Sequence, residues 1–210
     1  MKELFNKCYT AEYIHTAGGG DYVIQYEDGT LYLLFEWSDG REDWKNNLDF
    51  PAKPYKRMSD TWHCHRGFLR VWKAMRDEVE ENVVKNVEWF AGGVRTVERI
   101  VCVGYSHGAA IALLATEDMA FLYPGIPVEG YGFGCPRVLW GKVPKAVKQR
   151  LSGFVAVRNV PDLVTHVPPA LFGFKHVNLL KVGKLGKYGP IKAHYASAYL
   201  EELKKHKTKE

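Results

Sequence analysis

No run of apolar residues in this 210-residue chain approaches the ~18 needed for a membrane-spanning helix, which excludes a helical membrane protein. Cysteine is scarce: Cys8, Cys64, Cys102 and Cys135 lie far apart, without the dense spacing of a disulfide framework, so reduced thiols are expected. Repeats, low-complexity tracts and linkers are lacking too. The chain therefore fits one domain over residues 1–210, large enough to bury roughly 70% of its unfolded surface. The opening "MKELFNKCYT" has no apolar stretch behind its lysine and does not read as a secretory signal. A cytoplasmic protein is expected, a removed leader being the alternative. In "KVGKLGKYGPIK" lysines alternate with glycines rather than with stacking aromatics; with the tail "KKHKTKE" this reads as a solvated face, not a nucleic-acid or anionic-lipid patch.

What is present is patterned. "TLYLLFEW", residues 30–37, is an apolar run between Asp28-Gly29 and Asp39-Gly40, as a strand between turns should be. From Phe68, the residues Trp72, Met75, Val79, Val83, Val87 and Phe90 recur every three or four positions among charged residues, predicting an amphipathic helix of ~20 residues. Then come a strand in "VERIVCVGY", a helix over 108–118, a strand in "VEGYGFG", a helix over 142–150 and a strand in "GFVAVRNV". A late strand around "KHVNLLKV" and a helix from about Ala193 to Lys205 complete the chain. Alternating strands and helices imply parallel pairing through crossovers: an α/β fold with a mostly parallel central sheet, helices on both faces, and a ligand site at the carboxyl ends of the strands.

One junction carries chemistry. Gly104-Tyr105-Ser106-His107-Gly108 has the form G-x-S-x-G and falls where an apolar β-run feeds directly into a helix, which is the setting of a nucleophile elbow. Such a turn holds the serine in a strained conformation with its hydroxyl above the sheet. Side chains two positions either side would collide with the neighbouring strand and helix.

A serine hydroxyl is a weak nucleophile at neutral pH and needs a base, itself oriented by an acid. In this architecture the chain order is serine, acid, histidine. Glu117 and Asp118 lie on the helix that leads away from the serine, whereas Asp162 directly follows the strand "FVAVRNV", at the carboxyl edge, and is the better acid. Of the histidines, His107 adjoins the serine and must point away, although its backbone N–H can serve; His206 lies in the charged tail, and His166 is only four residues past the acid. His194, in a loop before the terminal helix, ranks first as base and His176 second.

With these residues in view, the sequence resembles the class 3 lipase family, the fungal triacylglycerol-lipase type of α/β-hydrolase. Five motifs carry the resemblance, in the family's order: "YLLFEWSDGREDWKNNLDF", "HRGF", "GYSHG", "GFGCPRV", and "NVPDLVTHVPPALFGFKH" followed by "AHY". The resemblance implies the α/β-hydrolase fold, with Ser106 as nucleophile, Asp162 as acid and His194 as base. It implies an oxyanion hole formed by the His107 N–H and by Ser38, and a lid over "DGREDWKNNLDFP". In that lid Trp44 and Leu48 are the one i, i+4 apolar pair, so weak interfacial activation and a preference for short, partly soluble esters are expected. The arginine and glycine usual before the oxyanion serine are Glu36 and Trp37 here.

"WHCHRGF" places His63, Cys64 and His65 in succession, but no second cluster supplies further ligands, so no metal and no cofactor is expected. His65 is expected to buttress the loop near the oxyanion hole. The leading reading is a serine carboxylester hydrolase acting on ester or lipid substrates with a weak lipid-surface contact and no nucleic-acid partner. Phospholipase A1 or galactolipase specificity is an alternative within that class. A non-catalytic binding protein built on the same fold, and peptidase or thioesterase action, are the competing readings.

Overall fold

The structure, a computed structural model, describes the chain apart from residues 17–19, 38–48, 50, 58, 59, 92–96 and 206–210. Helix α1 (Lys2–Tyr9) is followed by strands β1 (Ile14–His15), β2 (Asp21–Glu27), β3 (Thr30–Phe35), β4 (Ala52–Arg57) and β5 (Asp60–His65). Next come α2 (Arg66–Ala91), β6 (Arg99–Tyr105), α3 (His107–Leu122), β7 (Val128–Phe133), β8 (Leu139–Trp140), α4 (Lys145–Arg150) and β9 (Phe154–Asn159). The chain ends with β10 (Phe174–Lys175), β11 (Leu179–Val182) and α5 (Ala196–Lys205).

Seven strands form the main sheet in the order β1-β2-β3-β6-β7-β9-β11. The pairs from β3 to β11 are all parallel, and β1 and β2 add an antiparallel edge. Because successive strand side chains point to opposite faces, β3 sends Leu31, Leu33 and Phe35 to one core and Leu34 to the other. In β6, Ile100 and Cys102 join the first core, while Val101, Val103 and Tyr105 join the second. The first core is closed by α2 and α3, through Trp72, Met75, Val79 and Leu114; the second is closed by α1 and α5, through Phe5, Cys8, Tyr199 and Leu203. Each such fully buried side chain contributes about 2 kcal/mol relative to exposure. All four cysteines are free thiols, and all are buried.

Differences from the sequence reading have local causes. The first predicted strand stops at Phe35 rather than residue 37, where its pairing with β2 and β6 ends. Helix α2 starts at Arg66 and runs 26 residues, longer than the predicted ~20. Its start is set by His65, whose Nδ1 accepts the N–H groups of Gly67 at 3.2 Å and Phe68 at 3.4 Å, occupying donors that a helix start leaves unpaired. The late strand predicted around residues 175–182 is two strands in different sheets. β10 belongs to a second, antiparallel sheet in the order β10-β8-β5-β4, whose short strands carry little periodic signal. A 3-10 turn, Lys192–His194, takes the place of the first turn of the predicted terminal helix.

At the far end of α3 from the elbow, Glu117 and Asp118 are fully buried. Asp118 accepts hydrogen bonds from Trp72 Nε1 at 2.7 Å and from the Tyr55 hydroxyl. Glu117 pairs with Arg150 at 2.6 Å, and Arg150 reaches Asp60 at 2.7 Å. Both acids are thus committed to tying α3 to α2, α4 and the small sheet.

Candidate active site

Where β6 meets α3 the backbone reverses within three residues. Ser106 occupies the N-cap of α3 with φ 55° and ψ −118°, a region that L-residues enter only under constraint. Two main-chain hydrogen bonds hold it there: Ser106 N–H donates to Phe133 O at 2.8 Å, and Ala109 N–H donates to Ser106 O at 3.1 Å. The flanking glycines are required by contact. A Cβ on Gly104 would sit 2.0 Å from Gly108 O, and one on Gly108 would sit 2.3 Å from Phe35 O and 2.4 Å from Glu36 O. The exit of β3 therefore lies directly against the first turn of α3.

Three side chains from separate loops converge at this edge. His194, in the 3-10 turn before α5, places Nε2 2.8 Å from Ser106 Oγ and Nδ1 2.8 Å from Asp162 Oδ2. Asp162 is fully buried, in the turn just after β9. Its Oδ1 accepts the Val164 N–H at 2.9 Å, and its Oδ2 also accepts the Tyr199 hydroxyl at 2.7 Å. The Tyr199 oxygen in turn accepts the Asn159 N–H at 3.0 Å, fixing the acid from α5 and from the end of β9 together. The imidazole lies beside the Tyr105 ring, centroids 5.3 Å apart, and the Tyr105 hydroxyl donates to the His194 carbonyl. Gly134, at φ +61°, leaves room for the ring: a Cβ there would sit 2.9 Å from His194 Cε1.

His107 is buried at the start of α3, its ring 5.5 Å edge-on from that of Phe68. Phe68 stacks on His65 at 4.0 Å, so His65 supports the residue after the serine through one intervening ring. A recess beside His107 is lined by Asp21, Phe35, Glu36, Trp37, Met75 and Ile111. Ser38 and the lid residues Trp44 and Leu48 lie outside the described residues. His176, ranked second as base, is turned elsewhere: its Nε2–H donates to Thr165 O at 2.7 Å, and burial lowers its pKa to about 4. His166 likewise meets Asp162 through the backbone carbonyl, at 2.9 Å from Nδ1. Among the described residues, the His63-Cys64-His65 run gathers no set of metal-ligand atoms; the grouping present is His15, Asp21 and Glu36, with ligand atoms within 4.8 Å of one another.

Tyr199, Tyr105 and Gly134 are the site residues that sequence reasoning did not assign. Tyr199 falls within the predicted terminal helix, where nothing in the sequence marks its hydroxyl. Gly134 sits in the quoted "GFGCPRV" motif, where nothing in the sequence links the glycine to an imidazole.

The class 3 lipase family model matches residues 32–172. A lipase of Rhizomucor miehei is 28% identical over 150 residues, 70% of this chain and 40% of that protein. A secreted mono- and diacylglycerol lipase of Malassezia restricta is 32% identical over 111 residues, 52% of this chain and 35% of that protein. The solved triacylglyceride lipase of Rhizomucor miehei shares the fold with a TM-score of 0.64 at 22% identity, covering 82% of this chain and 66% of that one. The chain thus spans less than half the length of the two curated relatives. The secreted relative stands against the cytoplasmic expectation and accords with its alternative; no helix among the described residues is long and apolar enough to cross a membrane. The matched region takes in the elbow, the acid-bearing turn and the three strands between them, and on that match the chain belongs to the class 3 lipase family.

Proposed function

We propose that this chain is a serine carboxylester hydrolase in which Ser106 is the nucleophile, His194 the general base and acid, and Asp162 the group that fixes the imidazole. The observation that carries the reading is the continuous relay from Ser106 Oγ through His194 to Asp162, each link 2.8 Å. As the serine oxygen bonds to the ester carbonyl carbon, its proton passes to His194 Nε2, and the buried carboxylate stabilises the resulting imidazolium. The negative charge that develops on the carbonyl oxygen meets the His107 N–H at the start of α3, and Ser38 as second donor; each is worth roughly 3 to 4 kcal/mol of barrier. His194 then gives its proton to the departing alcohol, leaving an acyl-serine. Water, deprotonated by the same nitrogen, adds to the acyl carbon and releases the acid and free Ser106.

Short to medium acyl chains are the proposed substrates, because the sequence over the lid region is mostly charged or amide and carries one apolar pair, Trp44 and Leu48. A p-nitrophenyl ester series from acetate to palmitate, run with the unmodified protein and with Ser106→Ala, tests both parts. The expected result is turnover greatest for the short and medium esters and abolished by the substitution. Turnover that persists in Ser106→Ala contradicts the assignment of the nucleophile. A sharp rise on emulsified long-chain substrate contradicts the chain-length reading alone.

A further inference from the structure

Charge divides sharply along this chain. Residues 1–135 hold 14 Lys and Arg against 20 Asp and Glu, whereas residues 136–200 hold 11 Lys and Arg against one acid, Asp162. Asp162 is buried in the site, so the surface supplied by the second stretch is cationic. That stretch also supplies the loops leaving the carboxyl ends of β9 and β11, the edge at which Ser106 lies.

These loops are unusually apolar for exposed segments. Leu171 is 90% exposed, Leu185 78% and Ile191 67%, and Leu163, Phe172 and Tyr195 are each more than half exposed. They make up six of the ten large hydrophobic side chains that are exposed among the described residues. The two loops are joined, Leu163 N–H donating to Pro190 O at 3.1 Å, next to Ile191. Lys184 and Lys192 flank Leu185 and Ile191 in sequence and are exposed. Lys187 differs, being held by Glu201 at 2.6 Å and by Glu202. Lysines among protruding aliphatic side chains suit a lipid–water boundary: the aliphatic groups enter the interfacial layer while the ammonium groups stay at headgroup level. A nucleic acid is a poorer fit, since bases stack on aromatic faces and four of the six side chains at this rim are aliphatic.

We propose that the loops bearing Asp162 and His194 form a fixed docking face for anionic lipid surfaces, with Leu185 and Ile191 entering the interface and Lys184 and Lys192 reading its negative charge. This face presents the site edge to ester groups at headgroup depth. Only that last consequence rests on the esterase reading; the binding does not.

The test is co-sedimentation of Ser106→Ala protein, which leaves vesicles unhydrolysed, with phosphatidylcholine vesicles and with phosphatidylcholine–phosphatidylserine vesicles. Preferential binding to the anionic vesicles, lost at high ionic strength, is expected. Adding Lys184→Glu and Lys192→Glu should weaken that binding by roughly thirtyfold or more, at a factor of about five for each cation removed. Leu185→Ser with Ile191→Ser should weaken binding to both vesicle types. In the Ser106 background the charge-reversed protein should still hydrolyse a soluble ester, which shows that it is folded. Should it not fold, the salt dependence of the unmodified surface decides. Equal binding to both vesicle types, no binding to either, indifference to ionic strength, or binding to duplex DNA in place of vesicles would each overturn the proposal. Soluble-ester turnover, scored separately, reports on Ser106 whichever way the vesicles behave.

Discussion

Replacing Gly104 by alanine tests the elbow where its geometry is tightest. The added methyl would lie 2.0 Å from Gly108 O, 2.2 Å from Gly108 C and 2.6 Å from Ala109 N, where side-chain carbons keep beyond 3.0 Å. Every one of these neighbours is backbone, so no side chain can rotate away. The end of β6 and the first turn of α3 must separate by about 1 Å, and Ser106 sits between them. The stability cost is that of overpacking, about 1 to 3 kcal/mol or more. The functional cost is larger in proportion: a ~1 Å displacement of a reacting atom is worth about a hundredfold in rate. We expect kcat/KM on p-nitrophenyl butyrate to fall by about that factor in protein that is still folded by circular dichroism, with a lowered urea midpoint. Gly125→Ala is the control, since nothing lies within 4 Å of a methyl there, and it should be silent in both measurements. A Gly104→Ala protein with unaltered stability and turnover would refute the elbow geometry.

Tyr199→Phe removes a donor from Asp162 Oδ2 and the acceptor of the Asn159 N–H. At about 1.5 to 3 kcal/mol for a hydrogen bond to a charged group, kcat should fall by roughly tenfold to a hundredfold, with KM for a soluble ester little changed. Steady-state kinetics with a pH profile check this. Two buried groups give opposing pH dependences of stability. Burial raises Glu117 from 4.5 to about 7, so in that window the folded carboxyl holds a proton that the unfolded chain has released, and stability falls as pH rises. Burial lowers His176 from 6.5 to about 4, so there the unfolded chain binds the extra proton, and stability falls as pH drops. The two effects oppose each other. Relative to the unmodified protein, urea midpoints should decline more steeply toward acid in Glu117→Gln and more steeply toward neutrality in His176→Gln. Equal slopes in all three proteins would contradict the assignment.

The architecture was legible because its parallel strands are apolar runs bounded by turn residues and α2 carries an apolar stripe. Trp72, Met75, Val79 and Val83 were read from their spacing and are buried as a set against the sheet. The small sheet escaped because β8 and β10 are two residues each, too short for alternation to register, and because β4 contains Lys53, Pro54 and Lys56. At the site, Ser106, Asp162 and His194 were named from motif and chain order, and the structure brings those three together. What spacing did not reveal is how they are held. The Tyr199 hydroxyl acts across 37 residues of sequence and the Tyr105 hydroxyl across 89, and neither contact leaves a local pattern. The loop over residues 181–192 looked like solvated lysine-glycine sequence; only its placement at the edge bearing Ser106 gave Leu185 and Ile191 a role.

The most direct measurement is labelling with a fluorophosphonate, which reacts with a serine oxygen only when a neighbouring base removes its proton. After digestion and mass spectrometry the adduct should be found on Ser106, at a rate reduced by orders of magnitude in His194→Ala. Ester turnover should vanish in step with labelling. An unlabelled Ser106 in protein that still hydrolyses esters, or an adduct at another residue that tracks the loss of activity, would contradict the relay from Asp162 through His194 to Ser106.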